Sequence, residues 1–112
     1  MTGLTEKTCV PCRGGVPPLG EGEAKSFLVQ TPGWELREGK RIERTYRFKN
    51  FRDALRFVDA VGALAEEEGH HPDIAFGWGY ATISLHTHKI KGLHENDFIM
   101  AAKINRLAPE AT

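Results

Sequence analysis

Several stretches of the chain alternate apolar and polar residues, which is the pattern of strands that bury one face. Their apolar positions are Ile42, Tyr46 and Phe48, then Ile74, Phe76 and Trp78, and finally Ala81, Ile83 and Leu85. The step Glu38-Gly39 separates the first stretch from Trp34–Arg37 and predicts a hairpin there. Gly77 and Gly79 allow a second turn, so four strands in two hairpins are expected.

Between and around these hairpins, apolar residues recur every three or four positions and predict amphipathic helices. The longest helix follows Asn50, a good N-cap, and ends near Gly69. Its predicted buried stripe is Phe51, Ala54, Leu55, Val58, Val61 and Ala65. Its last turn, Glu66 to Glu68, is interpreted as a solvated acidic face. Shorter helices are predicted over residues 21–30 and 95–107.

The order helix, strand, strand, helix, strand, strand, helix predicts an α+β fold. In such a fold a four-stranded antiparallel sheet carries the helices packed on one face. Residues 1–20 have no apolar period and are rich in Gly and Pro, so an irregular N-terminal arm is predicted. One domain is expected over 21–112, and a chain of 112 residues is long enough for a single core.

Charge and composition favour a small or neutral partner. The 15 basic and 15 acidic side chains balance, so no strong field attracts nucleic acid or an anionic membrane. Neither a long apolar run nor a secretion signal is evident, and the expected location is the cytosol.

Cys9 and Cys12 have the spacing of a redox pair or half a zinc site, but neighbouring Gly and Pro residues favour a loop. We assign these cysteines no role.

All five histidines fall between His70 and His94. Because the ordinary pKa of histidine lies closest to neutrality, such a group can supply both a proton donor and an acceptor. Taken singly, His86 or His94 more simply caps a helix or fills a half-buried position. The adjacent pair His70-His71 is different, because it follows a helix end and Pro72 restricts the backbone behind it.

The pair belongs to a longer constellation of Glu66, His70-His71-Pro72, Trp78, His88 and Asp97. These residues and their separations resemble the signature of the pterin-4a-carbinolamine dehydratases. The resemblance extends from about Leu19 to Leu107 and includes Gly33-Trp34, Tyr46-Arg47-Phe48 and Gly92-Leu93. It implies an enzyme, a hydro-lyase that dehydrates 4a-hydroxytetrahydropterin (4a-hydroxytetrahydrobiopterin) to quinonoid dihydropterin.

The resemblance further implies that His70, His71 and His88 surround the C4a hydroxyl of the pterin. We expect His70 and His88 to transfer protons and His71 to act as an orienting hydrogen-bond partner. One histidine would protonate the departing hydroxyl while another group takes the proton from the adjacent ring nitrogen. No metal and no redox cofactor is required, and the pterin itself is the substrate.

Glu66, Trp78 and Asp97 are the expected substrate-binding residues. Each has a simpler alternative, namely solvated surface for Glu66, core packing for Trp78 and helix capping for Asp97.

Two other histidines depart from the pattern of the resembled family. His94 stands where a capping serine or threonine is usual, which predicts a weaker cap. His86 lies two residues before the third catalytic histidine, on the same side of an ideal strand, and spacing favours the later one.

Two other functions could use the same features. Histidines are the commonest zinc ligands, so a metal hydrolase is an alternative, although adjacent histidines rarely both reach one metal. Some relatives of the resembled family act as dimerisation or assembly partners without catalysis. The resemblance also implies a homodimer or homotetramer, and a functional link to an aromatic amino acid hydroxylase whose oxidised pterin this activity would recycle.

Overall fold

The helices and strands follow one another in the predicted order. The computed structural model describes residues 3–7, 9 and 17–108. Its main elements are α1 (Glu21–Leu28), β1 (Glu35–Arg37), β2 (Arg41–Arg47), α2 (Phe51–Glu68), β3 (Asp73–Gly77), β4 (Tyr80–Leu85) and α3 (Glu95–Leu107). Short 3-10 turns occupy Leu4–Glu6 and His88–Ile90. The predicted α+β class is confirmed.

The four strands form one antiparallel sheet in the order β1-β2-β4-β3. The register places Ile42 of β2 opposite Leu85 of β4. Because side chains alternate across a strand, the apolar residues gather on one face, where the helices pack over them. The other face is polar, and there the hydroxyls of Thr45 and Thr82 hydrogen-bond across the strands at 2.8 Å.

The buried face of α2 differs from the prediction at the start of the helix. The buried residues are Ala54, Phe57, Val61 and Ala65. Phe51 and Leu55 are instead nearly half exposed, so the predicted stripe is wrong at these two positions. The reason is Phe57, whose ring packs against Tyr46 with centroids 4.6 Å apart. Phe51 then lies beside the edge strand β3, with its ring centroid 5.7 Å from that of Phe76.

The acidic end of α2 is solvated only in part. Glu68 is largely buried, accepts a hydrogen bond from the backbone N–H of Cys9 at 2.8 Å and pairs with Lys103 at 2.7 Å. Burial alone would raise the pKa of Glu68, but these partners outweigh it and lower the pKa. The prediction of a solvated face is therefore wrong for Glu68. Gly69 ends the helix in the left-handed conformation, with φ of 67°.

The described part of the N-terminal arm packs against α3. Leu4 is buried in the core, and Lys7 pairs with Glu95 at 2.5 Å. Closer to the domain, the N–H of Leu19 donates to the carbonyl of Leu93 at 2.8 Å. The predicted boundary between arm and domain stays a prediction. Within the described ranges, no helix has the length and apolar character needed to cross a membrane.

Candidate active site

Two segments that carry histidines meet at one end of the sheet. His70 and His71 lie just before β3, and His86 lies just after β4. These strands are antiparallel neighbours with Asp73 opposite Ser84, so the start of one adjoins the end of the other. The sheet topology therefore brings histidines that are distant in sequence to a single edge.

The segment after β4 folds back and carries a further histidine to the same edge. The backbone of Thr87 pairs with that of Gly92 through hydrogen bonds of 2.8 and 3.4 Å, which closes a loop around a single 3-10 turn. Gly92 must be small, because a Cβ there would lie 2.6 Å from Pro18. Nδ1 of His88, within the loop, lies 3.1 Å from Nε2 of His86, which directly precedes it.

These segments surround a cleft of about 490 Å³. It is lined by Cys9, Glu68, Gly69, His70, His71, His86, Thr87, His88, Lys89 and Asn96. The three histidines predicted to be catalytic thus lie together. Trp78 does not lie with them, because the β3–β4 turn holds it at the opposite end of the sheet, where it is 70 % exposed. Trp78 is outside the cleft lining, and its contact with a substrate stays a prediction.

Asp97 lies behind His70 and holds its ring. The carboxylate is fully buried, and its Oδ1 accepts a hydrogen bond from Nε2 of His70 at 2.6 Å. Its Oδ2 accepts from the hydroxyl of Thr87 at 2.9 Å and from the backbone N–H of His94 at 3.0 Å. Asp97 therefore caps α3 and also orients a histidine. It is absent from the cleft lining and reaches the cleft through His70 and Thr87, both of which line it.

Hydrogen bonding determines which ring nitrogen can exchange a proton. A carboxylate accepts, so Nε2 of His70 carries hydrogen and Nδ1 remains for exchange. His71 has the same arrangement with Glu66, at 2.5 Å between Nε2 and Oε2. The side chains of His71 and Glu66 are 62 and 79 % exposed, against 12 and 0 % for His70 and Asp97. Water weakens the interaction between His71 and Glu66. Only the buried carboxylate of Asp97 holds its histidine ring, that of His70, firmly.

His86 and His88 form a pair without a carboxylate. One ring must donate and the other accept across their 3.1 Å contact. When His86 donates, His88 presents Nε2–H as a donor; when His88 donates, its Nε2 can accept. His86 is half-buried, as the sequence favoured, and it also lines the cleft and shares a hydrogen bond that couples its tautomer to that of His88. Its spacing of two residues from His88 was the signal that could have found it.

Cys9 supplies part of the cleft wall from the N-terminal arm. Burial, reinforced by the carboxylate of Glu68, raises the pKa of the Cys9 thiol to about 12, so the thiol stays protonated at neutral pH. Cys12 lies outside the described residues. In the part of the chain that the structure describes, no group of three or more His, Cys, Asp or Glu side chains is arranged to hold a metal ion.

His94 caps α3 although it replaces the usual serine or threonine. Its Nδ1 accepts a hydrogen bond from the N–H of Asn96 at 3.0 Å, and its own N–H reaches Asp97. The helix consequently begins at Glu95, as predicted. The first turn of α3 thus keeps Asp97 in place behind the cleft.

An α+β domain whose cleft gathers four histidines, one of them backed by a buried carboxylate, defines a candidate site for acid–base chemistry. The family model described as pterin 4 alpha carbinolamine dehydratase matches residues 17–107. A Cupriavidus pinatubonensis protein, provisionally named for this dehydratase, is 59 % identical over 110 residues, or 97 % of this chain and 95 % of that protein. A Methylococcus capsulatus protein with the same provisional name is 58 % identical over 109 residues, or 96 % of both chains.

Two solved structures are also similar. A transcriptional coactivator/pterin dehydratase from Brucella melitensis gives a TM-score of 0.78 at 32 % identity, covering 82 % of this chain and 99 % of that one. A pterin dehydratase-like protein identified as a RuBisCO assembly factor in the alpha-carboxysome gives a TM-score of 0.60 at 29 % identity, covering 68 and 89 %. This chain belongs to the pterin-4-alpha-carbinolamine dehydratase family, and the resemblance found in the sequence is confirmed.

Proposed function

We propose that this protein dehydrates 4a-hydroxytetrahydropterin to quinonoid dihydropterin by histidine acid–base catalysis. The observation that carries the proposal is the cleft in which His70, backed by buried Asp97, lies with His71 and His88. Family membership supports a carbinolamine dehydratase activity. The reaction delivers one proton to the C4a hydroxyl and removes one from N5, so a donor and an acceptor must flank the ring.

His70 is the proposed base. Asp97 holds Nε2–H of this ring, so Nδ1 is the nitrogen that accepts the N5 proton. The buried carboxylate then stabilises the positive charge that the ring gains. As N5 loses its proton, the electron pair of the broken N–H bond forms the C4a=N5 bond of the quinonoid product.

His88 is the proposed acid. As an acid, His88 carries hydrogen on both ring nitrogens, donates Nδ1–H to Nε2 of His86 and presents Nε2–H. After giving that proton it is the neutral ring, whose Nε2 can take one up again. The proton goes to the C4a hydroxyl, which leaves as water with the electrons of the C–O bond. His71, paired with Glu66, orients the hydroxyl. Elimination of water needs no electron acceptor, so no redox cofactor enters this proposal, and the histidines rather than a metal supply the acid and the base.

The proposal also gives the reaction a setting. Quinonoid dihydropterin is the oxidised form of the pterin used by aromatic amino acid hydroxylases, and we propose that this chain serves their cofactor recycling in the cytosol. Coupled turnover tests this link: adding the chain to a hydroxylase with limiting pterin and a quinonoid-reducing system should raise product yield. An unchanged yield under limiting dehydration would contradict the link to a hydroxylase.

The catalytic test generates 4a-hydroxytetrahydropterin in situ and follows quinonoid product by absorbance, using protein stripped of metals. We expect the wild type to accelerate dehydration, and His70→Ala and His88→Ala each to lose about 10²- to 10⁴-fold of that acceleration. His94→Ser is the matched control, because it removes an imidazole outside the cleft lining and keeps an acceptor at the N-cap of α3.

Each other result would redirect the assignment. Activity that returns only with zinc would favour metal-assisted chemistry, and an equal loss in His94→Ser would remove the special status of the cleft histidines. No acceleration from folded protein would overturn the enzyme assignment. It would favour a non-catalytic assembly role, such as the one given for the similar carboxysome protein.

We also propose a homo-oligomer formed through α2 and β3. β3 is an edge strand, and beside it Leu55, Val58, Ile74 and Phe76 contribute to a shallow hollow. Phe51 and Leu55 are 45 and 46 % exposed. A second copy would cover both this apolar surface and the open strand edge. Light scattering should give a dimer or tetramer that Leu55→Glu dissociates, and a monomeric wild type would refute this proposal.

A further inference from the structure

The N-terminal arm closes one side of the histidine cleft. Cys9 is the one described residue of the arm that lines the cleft, where it lies with His70 and His88. The match to the family model begins at residue 17, so Cys9 lies outside the segment that the family model describes. This wall of the cleft is therefore an addition to the common domain.

The carboxylate of Glu68 holds the backbone of Cys9. Its Oε1 accepts a hydrogen bond from the N–H of Cys9 at 2.8 Å, and its Oε2 accepts from the ammonium group of Lys103 at 2.7 Å. The side chains of Glu68 and Lys103 are both largely buried, so salt screens their attraction little. One oxygen of a fixed, charged carboxylate is thus committed to the arm.

Cys9 also bridges the two segments that supply the His70–Asp97 pair. Glu68, at the end of α2, lies two residues before His70. The Cys9 thiol donates to the backbone carbonyl of Asn96, the residue before Asp97, at 3.7 Å. Cys9, Glu68 and Asn96 all line the cleft. A molecule bound in the cleft beside His70 therefore meets the arm as well.

Other contacts anchor the arm independently of Glu68. Leu4 is buried in the core, and Lys7 pairs with Glu95 at the start of α3. None of these three residues lines the histidine cleft. Loss of the hydrogen bond between Glu68 and Cys9 should consequently free the part of the arm that faces the cleft, while the earlier part stays docked on the domain.

We propose that Glu68 positions the Cys9 segment as a wall of the pterin site, so that the arm helps to bind the substrate but transfers no proton. The inference rests on the proposed function, because it takes the pterin to occupy the histidine cleft. His70 and His88 have hydrogen-bond partners outside the arm. Loss of the hold on the arm should therefore raise KM and leave kcat nearly unchanged.

Two double variants separate the hold on the arm from the ion pair. Glu68→Leu, Lys103→Met replaces the charges by apolar side chains of similar size, a change that is often neutral for stability, and leaves the N–H of Cys9 without its acceptor. Glu68→Gln, Lys103→Met also lacks the ion pair but keeps an amide oxygen for that N–H. This second variant is the conservative rescue.

Dehydration kinetics and calorimetry with biopterin, a stable oxidised pterin, compare the two variants with the wild type. In the leucine variant we expect KM and the Kd of biopterin to rise about tenfold, the effect of one hydrogen bond to a charged group. In the glutamine variant both should stay close to the wild-type values. The kcat should change little in either variant, because the proton-transfer groups keep their partners.

Alkylation of Cys9 tests the wall directly. In the variant Cys12→Ser, Cys9 is the only cysteine, and its reaction with iodoacetamide can be followed by mass spectrometry. Biopterin at about ten times its Kd should slow the reaction about tenfold, because the bound ring covers the thiol. Without pterin, adding Glu68→Leu, Lys103→Met to this variant should make the reaction faster.

An equal rise in KM in the two double variants would overturn the inference, because the ion pair and not the arm would then be responsible. Alkylation of Cys9 that bound biopterin does not slow would overturn it as well, and this result needs no substitution at Glu68. Binding and protection do not depend on turnover. If both are as expected in a protein that accelerates no dehydration, the wall is upheld and the proposed function is overturned. Dehydration with an unchanged KM in the leucine variant would do the reverse.

Discussion

Helix α3 carries a polar cluster at each end, and the two clusters are built alike. At its start, Asp97 accepts hydrogen bonds from His70, from Thr87 and from the backbone of His94. The carboxylate thus joins the helix to the segment before β3 and to the loop after β4. A buried acceptor on a helix that gathers three donors ties distant parts of the chain together.

At the other end of α3, Oδ1 of Asn105 gathers three donors as well. It accepts from Trp34 at 3.0 Å, from Arg44 at 2.8 Å and from the hydroxyl of Tyr46. An indole only donates and a guanidinium stays charged. Burial raises the pKa of Tyr46 to about 12, so its hydroxyl stays protonated. None of these donors changes protonation near neutral pH.

The difference between the clusters lies in the donor and its access to a cleft. The Asp97 cluster includes His70, a titratable donor that lines the histidine cleft, whereas no member of the Asn105 cluster lines that cleft. A centre of buried hydrogen bonds is therefore not by itself the mark of an active site. Proton transfer additionally requires a group that can change protonation and that meets a bound molecule.

The largest effect that would sharpen this comparison is expected from Asp97→Asn, which keeps the shape and removes the charge. The amide oxygen should stay with the N–H of His94, which can only donate, so the amide NH₂ would face Nε2 of His70. Nε2 must then accept, and its hydrogen moves to Nδ1, the nitrogen proposed as the base. We expect dehydration to slow by about 10²- to 10⁴-fold.

Nitrogen NMR of labelled histidine would report the changed tautomer of His70, and urea unfolding would show that the variant remains folded. A changed tautomer with an unchanged rate would break the comparison. The Asp97 cluster would then be as purely structural as its counterpart at the other end of α3.

Asn105→Leu is expected to act on stability. Arg44 keeps a second acceptor, the carbonyl of Pro32 at 2.8 Å, but Trp34 and Tyr46 lose theirs. A buried donor left without a partner costs about 1–3 kcal/mol, so the free energy of unfolding should fall by roughly 2–4 kcal/mol. Urea unfolding at constant m-value measures the loss. A fall in dehydration per folded molecule as large as that of Asp97→Asn would show that the two ends are not separable.

Local patterns carried most of the prediction of the fold. Alternation located the strands, and α3 has the predicted bounds because its cap and its terminating residues are local signals. The rotation of α2 was not predictable in this way. Both Phe51 and Phe57 fit a helical period, and the choice between them depends on Tyr46, which comes from another element. The burial of Glu68 likewise depends on a distant lysine.

The sequence predicted the residues of the site only where they belong to the family motif. The constellation grouped His70, His71 and His88, and they line one cleft. The part played by His86 depends on the return of the loop at Gly92, a pairing between residues with no pattern of their own.

A smaller, paired effect is expected from removing one donor at each end of α3. Tyr46→Phe and Thr87→Val each delete a single hydroxyl that donates to the cluster. Each should lower the free energy of unfolding by about 1 kcal/mol. We expect only Thr87→Val to slow dehydration as well, because its hydroxyl supports the carboxylate behind His70. Equal rates in both variants at matched stability would count against the positioning role of Thr87.

The remaining expected effect is confined to alkaline pH and distinguishes the clusters by their titration. The pKa values of Tyr46 and Cys9 are raised to about 12 from ordinary values of 10 and 9. The folded chain therefore binds these protons more tightly than the unfolded chain, so the stability they contribute is complete below the ordinary pKa and is lost as pH rises toward 12. The free energy of unfolding should decline above about pH 9, less steeply in Tyr46→Phe. An equal slope would mean that burial does not keep the phenol neutral, and the Asn105 cluster would lose the property that separates it from Asp97.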